Sequence, residues 1–187
     1  MMYNGYEIKT FTELSDEEVI QVLEARNAQH VRRWMVDESL IKLTDHLCFL
    51  QSLKNTQEKR YYMAKKNNKL VGVYSLTRFF DGQGQSGFYL TDHAIQAELT
   101  IEFLYTMIDY LFRHDDVNKI YGFAMAGNKS ANAINNLLGF REDRKLAIEK
   151  ESDYIYTSLS KNGWINEFSN NLKLTNMLRI IKGLNEN

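Results

Sequence analysis

The chain has 187 residues, 44% of them apolar, with 23 basic and 24 acidic side chains, one cysteine and no proline. That length suits one domain with a sizeable core. A net charge of −1 excludes a broad cationic face for nucleic acid or for an anionic membrane, so the expected partner is a small molecule.

Without proline, turns fall to 10 Gly and 17 Asn, since Asn tolerates left-handed backbone and hydrogen-bonds its own turn. Lone Cys48, among Leu47, Phe49 and Leu50, is expected as a buried thiol. The histidines at 30, 46, 93 and 114 lack ligand spacing, so no metal is expected. No apolar run is long enough for an integral membrane segment. The N-terminal MMYNGYEIKT has neither a basic nor an apolar signal region, which makes the cytoplasm the expected compartment.

In chain order, residues 6–13 read as a strand. Ser15-Asp-Glu-Glu18 is a capping box that opens a helix with Val19, Val22 and Leu23 on its apolar face. A second helix is expected from a Thr44 cap, presenting Leu47, Leu50 and Leu53. Residues 60–66 and 70–79 form a hairpin across Asn67-Asn68-Lys69, and 86–91 another strand. From about 96 to 114, Ile101, Leu104, Ile108 and Leu111 recur at helical spacing, with Asp109 able to pair with Arg113 one turn on. A buried strand at 119–125, a helix at 130–138 and strands at 147–151 and 154–159 follow. Trp164, Phe168, Leu172, Leu174, Met177, Leu178 and Ile181 give an amphipathic tail, so the expected division is a domain at 1–160 and a helical extension at 161–187. The extension packs on the domain, forms a homodimer contact or attaches to a membrane surface.

The stretch Asn128-Lys-Ser-Ala131-Asn-Ala-Ile-Asn135-Asn-Leu-Leu-Gly139-Phe140 carries the most information. Asn128 caps a helix, Ala131 lets it approach a neighbour, and Gly139 supplies a left-handed C-cap. The segment resembles the N-x-x-A-x-x-x-Y-x-x-x-G-F pattern of the GNAT superfamily of acetyl-CoA-dependent N-acyltransferases. The element order agrees with that superfamily, which implies an α/β (α+β) fold: a mixed, mostly antiparallel twisted sheet flanked by helices, here with a C-terminal helical tail.

Leu23-Glu-Ala-Arg26-Asn27, Trp34-Met35, Leu43-Thr-Asp-His46-Leu47, Leu53-Lys54-Asn55, Gly72-Val73-x-Ser75-x-Thr77-Arg78 and Gly87-Phe88-Tyr89 are similar to the pseudaminic acid pathway aminosugar N-acetyltransferases. Those enzymes acetylate the 4-amino group of a UDP-linked sugar. The resemblance implies acetyl-CoA as acyl donor, a UDP-aminosugar as acceptor, and substrate contacts from Arg26, His46, Thr77, Arg78 and Tyr89. It places cofactor contacts at Tyr89, Leu90, Gln96, Ala97, Glu98, Leu99, Thr100, Asn128 and Asn135. Arginine forks onto phosphate, and Tyr or His stacks on a base.

Two positions depart from the superfamily. Its glycine-rich phosphate loop corresponds to Ile95-Gln-Ala-Glu-Leu-Thr100, which has no glycine. Its tyrosine acid corresponds to Asn135, which donates a hydrogen bond but no proton, and its strand acids fall on Phe123 and Ala126. Ser75, His93 and Asn135 are the catalytic candidates, His93 as base, although Asp92 also reads as a plain helix cap and His93 as an exposed first-turn residue. Two alternatives stay open: a catalytically silent member of the fold that binds a sugar nucleotide or a partner protein, and an acetyltransferase acting on a protein or antibiotic amine.

Overall fold

The computed structural model describes residues 1–35, 37–143 and 153–168. The strand expected at 147–151 and most of the expected tail helix lie outside them. The described residues form two compact units, one of Met1–Phe80 with Gly87–Thr106, the other of Asp81–Ser86 with the described residues from Met107 onward.

In the first unit, β1 (Met2–Tyr3), β2 (Tyr6–Thr10), β3 (Arg60–Lys66) and β4 (Lys69–Phe80) are neighbours in that order, each pair antiparallel. Residues 87–90 of β5 (Gln83–Leu90) follow beside β4. Strand β2 stops at Thr10 instead of running to 13, because Thr10 and Glu13 close a capping box over a short 3-10 turn at Phe11–Glu13. The hairpin turn forms as expected: Asn67 and Asn68 hold φ of 50° and 61°, the left-handed pair that suits the twist of the flanking strands. A Cβ on Gly72 would lie 2.5 Å from the Tyr89 carbonyl oxygen and 2.9 Å from Leu90 Cδ2, so glycine is what lets β4 and β5 approach here.

Helix α1 (Asp16–Asn27) starts at the expected box: Ser15 Oγ accepts the Glu18 N–H, and the Glu18 carboxylate accepts the Ser15 N–H. Val19 and Val22 join Phe11, Leu50, Leu53, Met63 and Val73 in one core cluster. A four-residue α2 (Gln29–Arg32) follows. Helix α3 (Leu43–Leu53) begins at Lys42, not at a Thr44 cap, and Lys42 gives no side-chain cap. It buries Leu50 and Leu53 as expected, with His46 in place of Leu47. Leu47 therefore points outward, and Cys48 is exposed and not buried.

In the second unit, residues 83–86 of β5 are followed by β6 (Lys119–Met125), β8 (Tyr154–Ser160) and β7 (Arg141–Glu142). The parallel β5–β6 ladder spans Gln83↔Lys119 to Gln85↔Tyr121, and both strands continue past it. The β6–β8 ladder is antiparallel from Lys119↔Ser160 to Met125↔Tyr154. β6 is buried on one side only, at Ile120 and Gly122. Phe123 is 40% exposed and Met125 is exposed too, since alternate side chains leave the core face. Ahead of β5, Asp81 and Gly82 make a second left-handed turn with φ of 48° and 71°.

Helix α4 (Ala97–His114) runs nearly as expected, and the Arg113–Asp109 pair forms at 2.9 Å. Asn128 caps α5 (Lys129–Leu137) by accepting the Ala131 N–H at 3.1 Å, and Gly139 ends it at φ 88°. A single turn α6 (Lys161–Gly163) leads to a π-helical turn at Trp164–Phe168. There Trp164 is fully buried, packs on Phe112 and donates to Asp109 Oδ1 at 2.7 Å. Among the described residues no helix is long and apolar enough to cross a membrane, and no group of His, Cys, Asp and Glu is placed to hold a metal ion.

Candidate active site

Three of the expected substrate residues meet in one part of the first unit. Arg26, in the last turn of α1, acts electrostatically on the phenols of Tyr61 and Tyr89. His46 on α3 lies 6.4 Å from Phe11 and 6.3 Å from Phe49, and both of those rings pack on Tyr61. The result is an aromatic cluster with one guanidinium at its side. Burial pushes both phenols up and Arg26 acts in the opposite direction. The Tyr89 hydroxyl donates to the Val22 carbonyl at 3.2 Å. Burial lowers the pKa of His46 and favours the neutral ring.

Two polar atoms here lack partners. Arg26 Nη2 reaches the Asp37 carbonyl at 3.3 Å, but Nη1 is buried with nothing to donate to. His46, 5% exposed, has its Nε2 buried and unbonded. Buried polar atoms are nearly always bonded, so two unpartnered ones in one neighbourhood single it out as a candidate binding position. Thr77 and Arg78 sit at the far end of β4, Thr77 half-buried and Arg78 exposed with a left-handed φ of 52°.

The expected cofactor residues divide between the units. Gln96, Ala97 and Glu98 are exposed, Leu99 half-buried and Thr100 buried. Thr100 closes the first turn by donating its N–H to Gln96 and its hydroxyl to the Ala94 carbonyl. The amides of Ala97, Glu98 and Leu99 have no partner among the described residues, as the opening amides of a helix lack intrahelical acceptors. Asn128 and Asn135 lie in the second unit, and the side-chain oxygen of Asn128 is taken up by its capping bond. Asn132, not anticipated from the sequence, donates to the Met125 carbonyl at 3.1 Å and so holds the end of β6.

Among the catalytic candidates, the Ser75 hydroxyl donates to the Gly87 carbonyl at 3.2 Å across the β4–β5 pair. His93 lies on a 3-10 turn at Asp92–Ala94, with Nδ1 3.2 Å from Thr91 Oγ1. The Thr91 hydroxyl has one proton and faces the Leu70 and Val71 carbonyls at 2.9 and 3.1 Å, so it accepts from His93. Nδ1 thus carries hydrogen, and in the neutral ring Nε2 keeps the lone pair. Asp92 is not the cap of α4, which begins at Ala97; its Oδ1 lies 2.7 Å from His30 Nδ1. That contact joins residues 62 positions apart, and nothing in the local sequence signals it.

The family model for the acetyltransferase (GNAT) domain matches residues 7–141. The acetyltransferase PseH of Campylobacter jejuni (strain 81-176) is 20% identical over 154 residues, covering 82% of this chain and 93% of that protein. The crystal structure of C. jejuni PseH in complex with acetyl coenzyme A superposes with a TM-score of 0.64 at 19% identity, over 83% of this chain and 98% of that one. FdhC, described as a nucleotide-linked sugar GNAT, reaches a TM-score of 0.72 at 13% identity, over 95% and 97% of the two chains. On the family match across most of its length and on its fold, this chain belongs to the GNAT acetyltransferase family.

Proposed function

We propose that the chain transfers acetyl from acetyl-CoA to the 4-amino group of a nucleotide-linked aminosugar. The observation that carries this reading is the pair of unpartnered buried atoms, Arg26 Nη1 and His46 Nε2, beside the Tyr61 and Phe49 rings. A guanidinium donor suits a diphosphate oxygen, and the flanking rings suit a planar base. The similarity to PseH and to a nucleotide-linked sugar GNAT points the same way.

The residues present fit the donor. Three unpartnered amides open an 18-residue helix, so the positive end of its dipole and its free N–H groups favour a phosphate. The loop needs no glycine for this, because the side chains of Gln96, Ala97 and Glu98 are turned out to solvent. Residues 86–90 of β5 continue past the parallel ladder, and extended backbone of that kind hydrogen-bonds an amide-bearing arm as a strand would. When bound, acetyl-CoA supplies an activated thioester.

The chain's own residues then divide the work. Arg26, His46, Thr77 and Arg78 hold the acceptor, and Tyr89 and Leu90 supply strand amides that polarise the acyl carbonyl. His93 Nε2 takes the proton that the attacking amine gives up. The Asn135 amide would donate a hydrogen bond to the sulfur of the thiol leaving group that bound acetyl-CoA supplies. Ser75 holds the Gly87 carbonyl in place. Calorimetry with acetyl-CoA, followed by an assay for acetylated UDP-4-amino sugar, tests the proposal. Arg26→Ala is expected to raise the acceptor KM about tenfold while leaving the dissociation constant for acetyl-CoA unchanged. Absence of acetyl-CoA binding at millimolar concentration removes the reading.

A further inference from the structure

His30, on α2, touches the end of β5 and the 3-10 turn that follows it. Its Nε2 lies 3.0 Å from the Leu90 carbonyl oxygen and its Nδ1 2.7 Å from Asp92 Oδ1. Both partners are acceptors. A neutral imidazole has one N–H and turns a lone pair toward the other oxygen, so only a ring with a proton on each nitrogen satisfies both contacts. The Leu90–Thr91 peptide is held from its other side as well, since the Thr91 N–H donates to the Val71 carbonyl at 3.0 Å. His30 therefore fixes the point at which the chain leaves β5 for the turn that leads to the open amides of α4.

We propose that His30, protonated on both ring nitrogens, is a positioning residue for the acyl donor: it ties α2 to Leu90 and Asp92, and loss of one ring proton loosens the stretch between β5 and α4. This rests on the acetyl-CoA reading above. The charged and titratable groups around the ring are Asp92 and His93 on the 3-10 turn, Glu24 on α1 and Lys69 at the start of β4, which line one pocket of about 430 Å³ with His30. Among them Asp92 is in direct contact, at 2.7 Å.

Two measurements on the full chain decide it. Long-range proton–nitrogen NMR of the free protein at about pH 6 is expected to show both His30 nitrogens protonated; a nitrogen bearing a lone pair there overturns the proposal. In steady-state kinetics, the wild-type KM for acetyl-CoA is expected to rise about tenfold between about pH 6 and pH 9. His30→Gln, with a single donor group, should start from the raised KM and stay flat over that range, with kcat within about twofold of wild type. A His30→Gln enzyme that keeps the wild-type KM or its pH dependence, or that loses kcat and kcat/KM equally, overturns the positioning role. Failure of wild type to bind acetyl-CoA overturns this role together with the reading beneath it, whereas binding with an unresponsive His30→Gln variant overturns the role alone.

Discussion

Glu18 is buried in α1 and remains charged. Burial works against the charge, but hydrogen bonds from Lys9, the Ser15 backbone and Lys65 outweigh it and hold the carboxyl at about 2, against an ordinary 4.5. The native state therefore releases this proton more readily than the unfolded chain does. Its stabilising effect is complete above about pH 4.5 and disappears as pH falls through about 2. Glu18→Gln is expected to cost about 3 kcal/mol at neutral pH, with the gap to wild type closing as the solution is acidified, as urea unfolding across pH will show. The capping half of this residue's role was visible in the sequence, since Ser15 and Glu18 stand three apart. Its lysine partners were not, because Lys65 arrives from β3, 47 positions away. The same distinction separates Asn128, whose cap is local, from His46, which packs against Phe11 from a distant part of the chain.

Elements formed where the sequence placed them when short-range chemistry decides the outcome. The Asn67-Asn68 turn, the Ser15 box and the Gly139 cap each involve neighbours in the chain, and each is present. Errors arose where packing decides: α3 turns His46 inward and Cys48 outward, and β6 buries one side only. Gly72 belongs to this scale, because its lack of a side chain determines how close two strands come. Gly72→Ala places a Cβ 2.5 Å from the Tyr89 carbonyl oxygen, which is backbone and cannot rotate away. The expected cost is about 1–3 kcal/mol, read as a lower urea midpoint at an unchanged m-value. Since the displaced residues are Tyr89 and Leu90, acetyl-CoA affinity should fall with it.

At the scale of the whole chain, β5 and α4 each contribute residues to both compact units. Trp164, in the stretch expected as a helical extension, is 0% exposed and bonded to Asp109 in the second unit. Trp164→Phe keeps most of the ring contact but removes the indole donor, for an expected loss of about 1–3 kcal/mol and a drop in Tm of about 4 °C in calorimetry. The other tryptophan, Trp34, is exposed in the first unit, so a Trp34→Phe background makes the emission a report on the second unit alone. One further property follows from Cys48 facing solvent as the sole thiol of the chain. A maleimide dye attaches at one defined address, two residues from His46 and on the opposite side of the same helix. The unaltered polypeptide thereby carries its own attachment point for an optical sensor of whatever occupies the Arg26–His46 cluster.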